Sequence, residues 1–140
     1  MIGIDTSFLV AYEVAEHPKH HKARDFAAAR CGEGFALAPQ VLPEFIHIIT
    51  DERRLERPVP MSQALELTEK WRDAVEVRLI PPTQEACLLF TALMAQHRLG
   101  RKRLLDTMLS ATYLTAGVHT VVTLDVRDFA MFAGFAPIIL

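Results

Sequence analysis

Four short segments of this chain, residues 1–4, 35–38, 119–124 and 137–140, are apolar or β-branched at almost every position. A strand with one face in water alternates polar and apolar residues, and these do not. Between them lie stretches with helical spacing, two helices to most gaps. Short strands apolar on both faces and separated by helices are expected to form a mostly parallel sheet covered on both sides. A fifth segment, 76–80, alternates as Glu-Val-Arg-Leu-Ile and is stopped by Pro81-Pro82. The expected order is therefore strand, helix, helix, strand, helix, helix, strand, helix, helix, strand, short helical turn, strand.

The helices carry their own signals. Residues 6–14 hold Phe8, Leu9 and Tyr12, and 17–30 places Ala23, Phe26, Ala27 and Arg30 at helical spacing before Gly32 and Gly34. The third helix is expected from about Pro39 or Val41 to Asp51, with Pro43 confined to its first turn. Ser62 is expected to cap the fourth, with Leu65, Thr68, Trp71 and Val75 on one face. Thr83 is expected to cap a helix over 84–98, and Gly100 to close it. The helix 104–116 is apolar around most of its girth and is expected to pack centrally. Length and the lack of a dividing linker predict one domain over 1–140.

Composition narrows the class. The chain is 51% hydrophobic and 23% charged, the balance of a soluble globular protein. No apolar run reaches the roughly 18 residues of a membrane span, and no basic, then apolar, leader opens the sequence. Cys31 and Cys87 are too few for a disulfide framework and are expected to be reduced thiols in or near the core of a cytoplasmic protein. His17, His20 and His21 read as helix surface rather than a metal cluster.

Function is written in acids. Asp5, Glu44, Asp106 and Asp125 each stand at the edge of an apolar segment. Asp5 and Asp125 follow strands; Glu44 and Asp106 open helices. In parallel folds, ligands gather at the carboxyl ends of strands. Carboxylates there are costly to bury unless they are paired or bind a cation. Four together would make an all-oxygen site for a hard divalent ion such as Mg²⁺ or Mn²⁺, and such sites hydrolyse phosphodiesters. The net charge of −2 does not by itself signal nucleic acid. Locally, however, Arg98, Arg101, Lys102 and Arg103 precede Asp106, and Arg53, Arg54 and Arg57 form a second group, a basic rim suited to a polyanion.

These residues resemble the PIN domain family, in particular the VapC-type toxins of bacterial toxin–antitoxin pairs. The resemblance rests on four motifs in order: Ile4-Asp5-Thr6-Ser7-Phe8-Leu9-Val10, Pro39-Gln40-Val41-Leu42-Pro43-Glu44-Phe45, Asp106-Thr107-Met108-Leu109-Ser110-Ala111, and Val121-Val122-Thr123-Leu124-Asp125-Val126-Arg127-Asp128-Phe129. Each is weak alone; the set spans nearly the whole chain. Pro43 before Glu44 and an aspartate rather than asparagine at 125 are mild departures. The resemblance implies a three-layer α/β/α sandwich and a metal-dependent endoribonuclease using one or two Mg²⁺ or Mn²⁺ ions. It also implies a homodimer and an antitoxin partner of the VapB kind that blocks the metal site.

On this reading Asp5, Asp106 and Asp125 are the expected direct ligands. Glu44 holds a second ion or orients the attacking water. Thr6, Ser7 and Thr123 are expected to orient these acids or a metal-bound water, the alternative for Thr6 and Ser7 being a cap on the first helix. Asp128 either assists the site or caps the turn at Phe129. Arg98, Arg101, Lys102 and Arg103 are the candidate RNA contacts. The main competing reading keeps the fold and drops the chemistry, leaving an RNA- or protein-binding module. A phosphoacceptor domain is disfavoured because Asp5 has no adjacent acid and no lysine follows Lys102. A phosphatase built on an aspartate nucleophile would want a second acid two residues after Asp5, where Ser7 stands.

Overall fold

The computed structural model describes all 140 residues. The strands are β1 (Ile2–Ile4), β2 (Phe35–Leu37), β3 (Val77–Leu79), β4 (Thr120–Thr123) and β5 (Ala136–Ile139). The helices are α1 (Thr6–Glu13), α2 (His20–Arg30), α3 (Val41–Ile49), α4 (Met61–Asp73), α5 (Gln84–Gln96) and α6 (Leu104–Thr115). Three single 3₁₀ turns, Cys31–Glu33, Arg101–Arg103 and Val126–Asp128, link them. The expected order holds throughout.

The sheet runs β3-β2-β1-β4-β5 and every pair is parallel. Its centre explains the apolar segments: β1 and β2 are wholly buried, while β3 and β5 lie at the edges and are partly exposed. Pro137 sits in β5, an edge position where a missing amide donor is tolerated. The chain moves from β1 outward to β2 and β3, then returns to the other side of β1 for β4. Right-handed crossovers in opposite directions put their helices on opposite faces. Accordingly α1 to α4 pack as one group and α5 with α6 as another. The reversal falls between β1 and β4, and the two strand ends there are where such a fold opens a crevice. No helix is long and apolar enough to cross a membrane.

Several local expectations shift. α2 starts at His20, because His17-Pro18-Lys19 forms the turn before it, so His17 and His21 do not share a helical face. Its imidazole is pushed down by burial and by the neighbouring His20 and Lys19. α4 starts at Met61 with Pro60 in the cap position, which leaves Ser62 inside the helix and not capping it. Its buried residues are Ala64 and Trp71; Leu65 is half exposed and Val75 fully so. Trp71 sets that register by packing edge-on against Tyr12 at 5.0 Å and donating from Nε1 to Glu13 at 2.6 Å. Thr83 does cap α5, accepting from the Ala86 amide at 3.2 Å. The left-handed residue that ends α5 is Arg98 (φ 51°), not Gly100. The Arg98 and Leu99 amides reach back to Ala95 and Met94 oxygens, closing the helix by a Schellman pattern. Cys31 and Cys87 are free, as expected, but both are exposed and neither belongs to the core.

Candidate metal site at the sheet switch point

Asp5 is the first residue beyond β1. Its amide still bonds to Val122 O of β4 (3.2 Å), and its own carbonyl receives the Phe8 and Leu9 amides that begin α1. It therefore occupies the cap position of α1, yet its side chain makes no cap bond. Oδ2 instead accepts from Ser7 Oγ at 2.5 Å and Thr123 Oγ1 at 2.8 Å. Each hydroxyl also holds the chain that leads to Asp125. Ser7 Oγ accepts from the Leu124 amide (3.0 Å) and Thr123 Oγ1 from the Asp125 amide (3.1 Å). Burial pushes the Asp5 carboxyl up, against the pull of the Ser7 and Thr123 hydroxyls.

Glu44 lies in the first turn of α3. Pro43 precedes it where no helical amide partner is required, so the proline is accommodated without breaking the helix. Thr6, buried, donates from Oγ1 to Glu44 Oε2 at 2.7 Å. Successive residues of one helix, Thr6 and Ser7, thus serve acids on two different elements. Their hydroxyls orient carboxylates rather than cap α1.

Asp106 is the third residue of α6 and its side chain is 30% exposed. Its carboxyl is pushed up to about 6 by burial first, then by the charges of Asp5 and Glu44, and to a lesser degree Asp125, with Arg103 opposing. The four acids therefore share one electrostatic neighbourhood. Asp125 differs. Its carboxylate grips Arg127, with Oδ1 3.0 Å from both the Arg127 amide and Nε and Oδ2 2.8 Å from Nη2. That pairing draws its carboxyl down to about 2. Asp128 pairs with Arg103, which also lies 4.0 Å from Asp106.

The structure thus brings Asp5, Glu44, Asp106 and Asp125 to one edge, but no three of them converge on a single ion-sized point. Do they suit a divalent ion? The donors are all oxygen, which favours a hard cation. Asp5 and Glu44 have no ion-pair partner; of the two nearby arginines, Arg127 is held by Asp125 and Arg103 by Asp128, with Asp106 4.0 Å away. Negative charge without a counter-ion at a buried edge is the environment that a cation relieves, so the residues fit the ion chemically.

Of the basic residues, Arg98, Arg101 and Lys102 are exposed, and the turn Arg101–Arg103 leads directly into α6 and Asp106. Arg53 and Arg54 pair with Asp51 beyond the far end of α3, away from Glu44. They do not rim the acids. The largest cavity, about 720 Å³, is lined by residues such as Tyr12, Phe35, Leu67 and Trp71 and includes none of the four acids. Two residues near the site were not among the sequence candidates, although Tyr113 shares a helix side with Asp106 and Ser110 by spacing. Arg127 carried no signal beyond its place between two acids. Tyr113 carried one, since Gly3 interrupts an apolar strand and such a glycine marks a close approach by another group.

A family profile described as PIN domain matches residues 2–134. The chain is 27% identical to Ribonuclease VapC24 of Mycobacterium tuberculosis over 99% of this chain and 94% of that protein. Among solved structures it is similar to the Mycobacterium tuberculosis VapC20, a sarcin–ricin loop cleaving toxin (TM-score 0.73, 19% identity, 91% of this chain and 92% of that one). It is also similar to FitAcB from Neisseria gonorrhoeae (TM-score 0.68, 16% identity, 98% and 96%). A third is VapBC2 from Rickettsia felis bound to a DNA fragment from their promoter (TM-score 0.68, 12% identity, 100% and 99%).

Proposed function

This chain belongs to the PIN domain family, and from that premise we propose that it is a Mg²⁺- or Mn²⁺-dependent endoribonuclease, the toxin of a toxin–antitoxin pair. We read residues 1–140 as one PIN domain working in the cytoplasm. The observation that carries the reading is the clustering of the four acids at one sheet edge, with Asp5 held by the Ser7 and Thr123 hydroxyls, Glu44 by Thr6, and the Asp106 carboxyl raised by burial and then by the other three acids. Acids packed closely enough for three of them to raise the fourth, without a free cation among them, suit divalent metal and phosphodiester chemistry. The likeness to a named ribonuclease supports RNA as the substrate class.

Asp5, Asp106 and Asp125 would hold the first ion, and Glu44 a second ion or the attacking water. Bound there, such an ion lowers the pKa of a coordinated water and offsets charge on the phosphate oxygens. The protein's own part is orientation. Ser7 and Thr123 fix the Asp5 carboxylate, and Thr6 fixes Glu44. Arg101 and Lys102 offer charge to the RNA backbone beside the acids, and Arg98 extends that strip. Asp128 acts through Arg103, holding its guanidinium near Asp106. The partner would be a VapB-like antitoxin, a reading supported by the likeness to the VapBC2 pair. We further propose a homodimer, with apolar side chains left exposed on α4, Met61 and Leu65, as candidates for a protein contact.

One observation favours the alternative of a catalytically weak binding module: Asp125 is already satisfied by Arg127. The test is cleavage of a structured RNA pool by purified protein with Mg²⁺ or Mn²⁺, with EDTA, and with an Asp5→Asn control. Metal-dependent cuts absent from the control support the nuclease. RNA binding without cleavage by folded, antitoxin-free protein supports the module.

A further inference from the structure

Tyr113 is buried completely and takes no part in the chemistry proposed above. It lies two turns along α6 from Asp106. Its hydroxyl reaches four backbone atoms in β1, in β2 and at Ala38 just beyond β2. The Ile4 amide (3.2 Å) and the Ala38 amide (3.1 Å) donate to it. Its single proton faces Ile4 O at 2.7 Å, with Ala36 O at 3.0 Å as the second acceptor. Pairing between β1 and β2 ends at Gly3 and Ala36. The phenol therefore sits where the strands begin to part and bridges the Ile4 carbonyl and the Ala38 amide just beyond the last pair.

Gly3 makes room for it. A Cβ at that position would stand 2.8 Å from Cδ2 and Cε2 of the ring. The approach is thus built from two residues, one small and one large, that meet across the face of β1.

What leaves these strands is the acid site. Asp5 follows Ile4 directly. Ala38 leads into Pro39 and α3, which carries Glu44. Asp106 is on the helix that delivers the phenol. One oxygen atom ties α6, which bears Asp106, to the residue before Asp5 and to the segment that leads into α3. We propose that Tyr113 is a positioning residue for the candidate metal site, its hydroxyl setting the separation of Asp5, Glu44 and Asp106. The proposal rests on the ribonuclease reading and goes beyond it. It explains why a glycine and a tyrosine stand at positions with no direct role in metal or RNA contact.

The experiment compares wild type, Tyr113→Phe and Gly3→Ala, with Ile49→Val, buried at the far end of α3, as a purely structural control. Mn²⁺ binding to metal-free protein is measured by calorimetry, Tm by melting in EDTA, and kcat and KM on RNA separately. Tyr113→Phe keeps the ring and removes only the hydroxyl. The expected result is Mn²⁺ affinity lowered about 10-fold or more, the range for groups that orient ligands, with kcat reduced and KM for RNA little changed. Ile49→Val should lower Tm and leave Mn²⁺ binding as it was. If Tyr113→Phe lowers Tm but binds Mn²⁺ like wild type, the tyrosine is a core residue only and the proposal is overturned. If Tyr113→Phe does not fold, Gly3→Ala, which displaces the ring, is read by the same two outcomes. Wild type that neither binds Mn²⁺ nor cleaves RNA would sink the ribonuclease reading itself, and this proposal with it.

Discussion

Replacing Asp106 by Asn should make the metal-free protein more stable at neutral pH and leave it nearly unchanged in acid. The carboxyl stands at about 6 in the folded protein against an ordinary value of 3.8. A group whose folded pKa is raised binds more protons folded than unfolded, so stability falls as pH rises between the two values. Below pH 4 the folded protein bears no charge at Asp106 and suffers no penalty. Above pH 6 the penalty is complete. Two pKa units at about 1.4 kcal/mol each give roughly 3 kcal/mol as an upper bound. The side chain is 30% exposed, and water and salt screen part of the repulsion, so about 1–2 kcal/mol is the working expectation. Urea unfolding in EDTA at pH 7.5 and pH 4 reads it directly. Asp106→Asn should exceed wild type by that amount at the higher pH, and most of the difference should vanish at the lower. Adding Mn²⁺ at about 100 times its Kd should raise wild type by some 2.7 kcal/mol and the variant by much less. A variant no more stable than wild type at pH 7.5, or equally stabilised at both pH values, would refute the idea that burial and the neighbouring acids raise this carboxyl.

Three other expectations follow from the same geometry. Asp5→Asn or Asp125→Asn should nearly abolish metal-dependent RNA cleavage while circular dichroism stays that of the wild type; full activity in either removes that residue from the site. Arg101→Ala combined with Lys102→Ala should weaken RNA binding most at low salt and reduce the salt dependence by about one unit of slope per lost phosphate contact, and an unchanged low-salt Kd would make this turn a solvated surface. Arg98→Gly should stabilise the protein by about 0.5–1 kcal/mol, since glycine adopts the left-handed backbone of a helix C-terminus without strain, measured by urea unfolding; a loss of stability would mean that the arginine side chain outweighs its backbone cost.

Much of this was legible because parallel sheets advertise themselves. Strands β1, β2 and β4 are buried on both faces, so their apolar runs had no competing explanation. The acids were legible for the same reason, each interrupting an apolar run at its end. Helix faces were harder. On α4 the sequence offers Leu65, Thr68 and Val75 as readily as Ala64 and Leu67, and only the contact of Trp71 with Tyr12 and Glu13 decides the register. Gly100 looked like the end of α5, but the hydrogen bonds close the helix two residues earlier at the cost of an arginine in a left-handed backbone. Cys31 and Cys87 were assigned from the habits of their residue type, which says nothing about the exposed positions they occupy, Cys31 in a 3₁₀ turn and Cys87 on α5. The commitment of Asp125 to Arg127 was invisible for a different reason: ion pairs two residues apart depend on turn geometry that composition does not reveal.

The central position of β1 has a consequence for biosynthesis. One neighbour, β2, is complete by Leu37, but the other pairs Gly3 with Val121 and Ile4 with Val122. Until residues 120–125 have been made, Asp5 lacks the Thr123 hydroxyl and its backbone partner at Val122, and Asp125 does not exist. At about 5–20 residues per second, the nascent chain spends several seconds with its first acid exposed and unsupported. Pairings so distant in sequence also form late and slowly. A product that stops before residue 120 would therefore lack the assembled cluster of acids, and the candidate site would form only once β4 has been made.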